Sequence, residues 1–304
     1  MLLGPGLARA EDDAPAQSAD SANNADNADS ADDQSPSASG QAKKAKTEFT
    51  VLPVVGGDSD VGFGGGYIMS LARVLPDLEP YWWRAEAAGS ITFQLEDGKL
   101  NIPYLDNYVL LSFPHVIENR LGIEVRISHT HEEFLGYYGL GNGSRKDPEQ
   151  PESYYQYSRT HPTLQVDLTY EPIDYVKLAW GASFTYNELE IPPGTRLAED
   201  LASSDADVRD LLNSSNQHGV ATFSYGIGWD NRDNEVSPTG GQYHTLRFDL
   251  SPGATQGVPF DWMRVDLAMR TYVTMVPKHL VFAARVVLDS LTGNPPFYEL
   301  ARYD

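Results

Sequence analysis

The sequence predicts an all-β protein, a transmembrane antiparallel β-barrel of the outer-membrane type, and three observations carry that prediction. Strict apolar/polar alternation runs over about ten to fifteen residues in strand after strand, the length a tilted strand needs to cross a bilayer and well beyond the five or six of an ordinary strand. Charges of both signs recur on the polar face, as a wet lumen allows and a packed apolar core does not. Connections alternate between short and long, the pattern of periplasmic turns and outer loops.

Taken in order, the chain opens on "MLLGPGLARA", a short apolar piece ending in Ala8-Arg9-Ala10, which resembles the end of a secretory signal cleaved before Glu11. Residues 11–47 follow as an acidic, low-complexity stretch without the apolar mass to offset ordering entropy, and are expected to be a disordered tether. The barrel domain is expected over 48–304, with about eleven strands at 49–55, 61–74, 81–95, 99–113, 120–134, 154–171, 175–189, 217–229, 241–251, 262–275 and 279–290. A helix is expected over 196–213, inside a loop.

Because strand side chains alternate faces, parity sorts each strand into two sets. Leu121, Ile123, Val125 and Ile127 oppose Gly122, Glu124, Arg126 and Ser128; Met263, Val265, Leu267 and Met269 oppose Arg264, Asp266, Ala268 and Arg270. Leu280, Phe282, Val286 and Leu288 oppose Arg285 and Asp289 in the same way. The expected lumen-facing charges are therefore Arg264, Asp266, Arg270, Arg285 and Asp289. The connections at 75–80, 114–119, 172–174 and 276–278 are short, 230–240 is moderate, and 135–153, 190–216 and 252–261 are long. The early connections at 56–60 and 96–98 break the rule by being short.

Composition narrows the chemistry. The 304 residues hold 22 Lys and Arg against 43 Asp and Glu, a net charge of −21 that argues against a nucleic-acid partner. There is no cysteine, so disulfides, thiolate metal sites and cysteine nucleophiles are excluded. No apolar run is long enough for a membrane helix, which leaves a strand-built barrel untouched. His129 and His131 share a strand face near Glu132 and Glu133, but no third zinc ligand is visible and rim residues are the simpler account. "GLGNG" opens no helix and is not a nucleotide loop; "GGDSDVGFGGG" fits a glycine-rich hairpin better than a calcium site at Asp58 and Asp60. No nucleophile elbow or triad spacing is present, so no catalytic residue, cofactor or metal is expected, and the chain is not expected to be an enzyme.

Three segments then resemble one family. "GWDNRDNEVSPTGGQYHTLRFDLSPG" (228–253) is similar to the D-x-R-x-x-x-x-P-x-x-G hairpin of BamA/TamA outer-membrane barrels, with Asp230, Arg232, Pro238 and Gly241 in the matching places. "YYGLGN", with Tyr137, Tyr138, Gly139, Gly141 and Asn142, looks like that family's recurrent loop segment, and "PFYELARYD" (296–304) like the stretch before its R-G-[FY] loop. The resemblance covers about 49–304 and implies a barrel of sixteen strands, of which about eleven stand here; the chain ends before the R-G-[FY] motif, and the tether occupies the place of POTRA domains. It further implies residence in the bacterial outer membrane and a part in inserting or translocating proteins or lipids. The partners would be outer-membrane lipid, unfolded outer-membrane protein clients and periplasmic accessory proteins. Two rivals stay open: a passive pore or ligand-binding barrel using Arg264, Arg270 and Arg285, and a secreted β-sandwich binding module, since alternation serves both classes.

Overall fold

The structure is a computed structural model that describes residues 45–58, 62–76, 78–96, 98–117, 120–141, 143–203, 216–234, 237–253 and 260–300. The expected signal remnant (1–10) and nearly all of the expected tether lie outside the described residues. The first strand, β1 (Lys46–Asp58), begins inside the stretch assigned to the tether.

Long alternating segments pair with their sequence neighbours throughout. After β1 come β2 (Gly62–Leu75), β3 (Leu78–Glu96), β4 (Lys99–Asn101), β5 (Tyr104–Phe113), β6 (Leu121–Gly136), β7 (Gln156–Ile173) and β8 (Val176–Glu190). A short helix, α1 (Arg196–Leu201), separates these from β9 (Gln217–Asp230), β10 (Gly241–Pro252), β11 (Asp261–Val276) and β12 (Leu280–Gly293). All belong to one antiparallel sheet in simple chain order, except that β4 pairs only with β3. The strand expected across 99–113 is thus two, broken at Ile102-Pro103, because proline has no N–H to give to a ladder. The helix expected over 196–213 is described as α1 alone, its first turn capped by Thr195, whose Oγ1 accepts from the Ala198 amide at 3.4 Å; residues 204–215 lie outside the described ones.

The register decides between sandwich and barrel. One row of directly paired residues runs Val125, Val166, Ala182, Phe223, Leu250, Met263 across six strands, all on one face. That face carries half-exposed apolar side chains such as Ile127 at 59% and Leu288 at 53%, and among the described residues no second layer covers it. A sandwich would bury this face, so hydrocarbon is the solvent that fits it. The belt of outward apolar residues also slides down the register, from around Tyr67 in β2 to around Ala284 in β12, by roughly 1.3 residues per strand. At ~3.3 Å per residue and ~4.8 Å between strands this is a tilt of about 40°, that of membrane barrels.

Among the described residues the buried apolar clusters are two, one around Tyr137, Tyr157 and Phe297, the other around Val220, Phe260 and Trp262. Strand direction puts the C-terminal ends of β6, β8, β10 and β12 and the N-terminal ends of β7, β9 and β11 at one end, here the loop end, and the opposite strand ends at the other, here the turn end.

Candidate functional site

The polar face is a connected surface. Arg247 donates from Nε to Asp249 Oδ1 at 2.7 Å and from Nη2 to Ser224 Oγ at 3.1 Å, and Ser224 Oγ in turn donates to Asp249 at 2.6 Å. Asp249 stands directly opposite Arg264, which reaches Asp289 at 3.6 Å. Further round, Tyr108 donates to Glu86 at 2.7 Å beneath the Arg126 guanidinium, 4.1 Å from its ring centre. Charges this shielded are tolerated because each has a partner or water from the lumen.

At the turn end, Asp230 and Arg232 form a two-pronged pair, Nε to Oδ1 at 2.8 Å and Nη2 to Oδ2 at 2.6 Å, while the Arg232 amide also donates to Asp230 at 3.2 Å. The guanidinium lies over Tyr243, 4.3 Å from the ring centre. Gly241 has φ +99, and a Cβ there would meet the Asn231 carbonyl at 2.5 Å, so the turn requires glycine. Asp233 ties the connection together by accepting the Thr239 and Gly240 amides at 2.9 and 3.1 Å and the Thr239 hydroxyl. These hydrogen bonds, the Thr239 hydroxyl first, hold its carboxyl down to about 2.

At the loop end, Tyr137 packs edge-on to Phe297 at 5.5 Å between ring centres and donates to Asp200 at 2.9 Å. Burial, then the Asp200 carboxylate, pushes the Tyr137 phenol well above its ordinary value. Gly139 and Gly141 have φ +107 and +79, conformations open to glycine that swing the chain away from β6. The segment that leaves β12, Pro296–Glu299, does not stay beside it. Tyr298 stacks on His218 and meets its Nε2 at 2.5 Å, Arg159 of β7 covers the Tyr298 ring at 3.9 Å, and Arg264 of β11 bonds the Glu299 carbonyl. β7 and β11 are four strands apart in the sheet, so a segment touching both crosses its concave face.

The Omp85 superfamily domain profile matches residues 87–300, well over half of the chain. The chain belongs to the Omp85 superfamily. It is therefore an outer-membrane barrel of the Omp85 type. In fold it is similar to the crystal structure of BamA from Haemophilus ducreyi lacking POTRA domains 1-3, with 12% identity and a TM-score of 0.53 over 85% of this chain and 44% of that one. The chain thus spans less than half the length of that structure. No curated protein matches it in sequence.

Against this Omp85 frame, the sequence-predicted residues fall into three places. Asp230, Arg232, Pro238 and Gly241 share the turn end, the first two as an ion pair. Tyr137, Tyr138, Gly139 and Gly141 share the loop end, while Asn142 lies outside the described residues, as do 301–304 of the "PFYELARYD" segment. Arg264, Asp266, Arg270, Arg285 and Asp289 line one inner face by register. His129 points outward with the apolar row, and His131 meets Thr160 at 2.8 Å; among the described residues no group of three metal-binding side chains forms. Asp58 and Asp60 offer nothing to test, their side chains being outside the described ones. Sequence reasoning missed Arg159, His218, Asp200 and Asp233 as anchors. Strand parity puts Arg247, Asp249 and His218 on the wet face, but nothing local in the sequence links His218 to Tyr298, 80 residues away.

Proposed function

We propose that this Omp85 chain aids the insertion or translocation of proteins or lipids at the bacterial outer membrane. It acts without catalysis, cofactor or metal, and its partners are outer-membrane lipid, unfolded outer-membrane protein clients and periplasmic accessory proteins. The observation that carries this over the passive-pore reading is the segment laid over the inner face at the loop end: Pro296–Glu299 reaches β7, β9 and β11 there, and Arg264, one of the three arginines a pore would use, is engaged by Glu299 and Asp289. A passive channel gains from an open bore, whereas an assembly factor needs its wall, its rim and a face toward lipid.

The test reconstitutes the purified protein in lipid vesicles, adds a urea-unfolded outer-membrane barrel, and follows the client's protease-resistant, folded form alongside release of a small trapped dye. Faster client folding without dye release is the expected result. Dye release without faster folding would replace this reading with the pore.

A further inference from the structure

Two neighbouring tyrosines beyond the end of β6 point opposite ways. Tyr137 is buried in the loop-end cluster, whereas Tyr138 is 46% exposed. Gly136, which pairs with Gln156, faces outward, away from Leu135 and Tyr157 of that cluster. A Cβ on Gly136 would meet the Tyr138 hydroxyl at 2.9 Å and its ring carbons at 3.0 and 3.1 Å, so the ring lies along the outer wall in space that only glycine leaves open. Tyr155, buried, backs the ring at 5.2 Å between centres and 35° between planes, and its own hydroxyl accepts the Asp147 amide at 2.6 Å. Tyr138 is thus an aromatic surface fixed in advance. Lys146 stands near enough to both rings for its charge to act on them, and it pairs with Glu152. Both members of that pair are exposed, as is Arg145.

The height of this ring selects what can meet it. The apolar belt, centred near Tyr67 in β2 and sliding by roughly 1.3 residues per strand, is centred near Val125 by the time it reaches β6. Gly136 lies about ten residues further toward the loop end, roughly 25 Å along the membrane normal at ~3.3 Å per residue and a tilt of about 40°. A hydrocarbon band about 25 Å tall ends about 12 Å from its middle, and ordinary phospholipid headgroups end at about 20–22 Å. The outward positions of β6 accordingly turn polar at His129 and His131. A phospholipid stops short of Tyr138, and from the membrane side only a lipid with a large headgroup reaches it. A protein partner would find one ring among charged side chains, too little apolar area for a stable interface.

We propose that Tyr138, Lys146 and Glu152 form a binding site for the phosphorylated saccharide headgroup of a glycolipid in the leaflet at the loop end. The apolar C–H face of a sugar ring lies on Tyr138, Glu152 accepts hydrogen bonds from its hydroxyls, and Lys146 with Arg145 meets its phosphates. The site is separate from the insertion activity proposed above and rests only on the outer-membrane placement of the Omp85 barrel.

In the first experiment the whole protein, with a photo-crosslinking amino acid at Tyr138, is irradiated in its native outer membrane, and the adduct is analysed for sugar, phosphate and fatty acid. An adduct carrying all three is expected. Sugar and phosphate without fatty acid would assign the site to a soluble saccharide and overturn the glycolipid. A protein adduct, or none, would overturn the site itself. In the second, purified protein in phosphatidylethanolamine nanodiscs is titrated with the free phosphorylated core oligosaccharide of lipopolysaccharide, which has no acyl chains to bind by. Tyr138→Phe should bind as the parent does, and Tyr138→Ala roughly tenfold more weakly, the contribution of one aromatic face. Lys146→Ala should also bind more weakly, with the larger loss at low salt. Equal affinity for the parent and Tyr138→Ala would show that the ring is no platform. Guanidinium unfolding of Tyr138→Ala, expected to match the parent because Tyr138 is outside the buried cluster, separates loss of the site from loss of the fold.

Discussion

The two ends of the sheet are held by opposite means. At the turn end, Asp230, Arg232, Asp233, Thr239 and Gly240 satisfy one another within a single connection, by hydrogen bonds spanning two to seven residues. At the loop end, Tyr137, Tyr157, Leu189, Leu197, Phe297 and Tyr298 come from five separate stretches of chain and bury one another's apolar surface. One end is a local polar device; the other is a long-range apolar one. The difference teaches where stability and information sit: the turn can form as soon as its own residues do, whereas the loop cluster exists only once β6 to β12 are in register.

The sharpest way to break this contrast is Phe297→Ala. Phe297 is 7% exposed and touches Tyr137, Tyr157 and Tyr298, so truncation removes the centre of the cluster. The expected cost is about 3–5 kcal/mol. Guanidinium unfolding of the protein from lipid vesicles measures it. A cost below about 1 kcal/mol, in the range of an ordinary exposed site, would mean that the segment after β12 merely rests on the wall.

The same contrast explains what was legible in the sequence. The fold was, because bilayer-spanning strands repeat a two-residue period over a length that favours a barrel above a sandwich, and sequential pairing needs no information beyond order. The turn was legible too: Asp230, Arg232, Pro238 and Gly241 lie within one short segment, and Gly241 answers a backbone constraint that any reader of turns expects. Tyr137 was singled out only through its resemblance to a family loop, and its partners Phe297 and Asp200 were not foreseen. Those contacts depend on how far the sheet curls, a property of the whole strand set that no single segment encodes. The break at Pro103 was readable in principle, since proline inside a run demotes it, but the flanking alternation hid it.

At the turn end, Gly241→Ala is the largest expected effect. A Cβ at φ +99 would strain the backbone and press on the Asn231 carbonyl, for a cost of about 1–3 kcal/mol by the same titration. A neutral outcome would show that the connection relaxes freely and is not the self-locked unit described.

Arg232→Lys is gentler. An ammonium cannot make both prongs to Asp230 or lie flat on Tyr243, yet it keeps the charge. With the two side chains only 11% and 13% exposed, a loss of about 1 kcal/mol is expected, and Arg232→Ala should cost more. Equal losses for the two would show that the retained charge contributes nothing and that the forked, ring-stacked geometry carries the whole effect.

Asp233 gives the smallest effect and the most local one. Its hydrogen bonds hold the folded carboxyl near pKa 2, below the ordinary 3.8, so the unfolded chain takes up the proton first as pH falls. What the carboxylate contributes is therefore complete above about pH 4, shrinks below it, and is gone once the pH has passed below about 2. The amide signals of Thr239 and Gly240, which donate to Asp233, should report this by NMR as a single titration centred near 2. In Asp233→Asn the same signals should not move over that window, while amides around Phe297, which have no bond to this carboxyl, serve as the internal reference. A midpoint near 4 would place Asp233 in free water. The turn would then rest on Asp230 and Arg232 alone, and the claim that this end closes itself within one connection would shrink to a single ion pair.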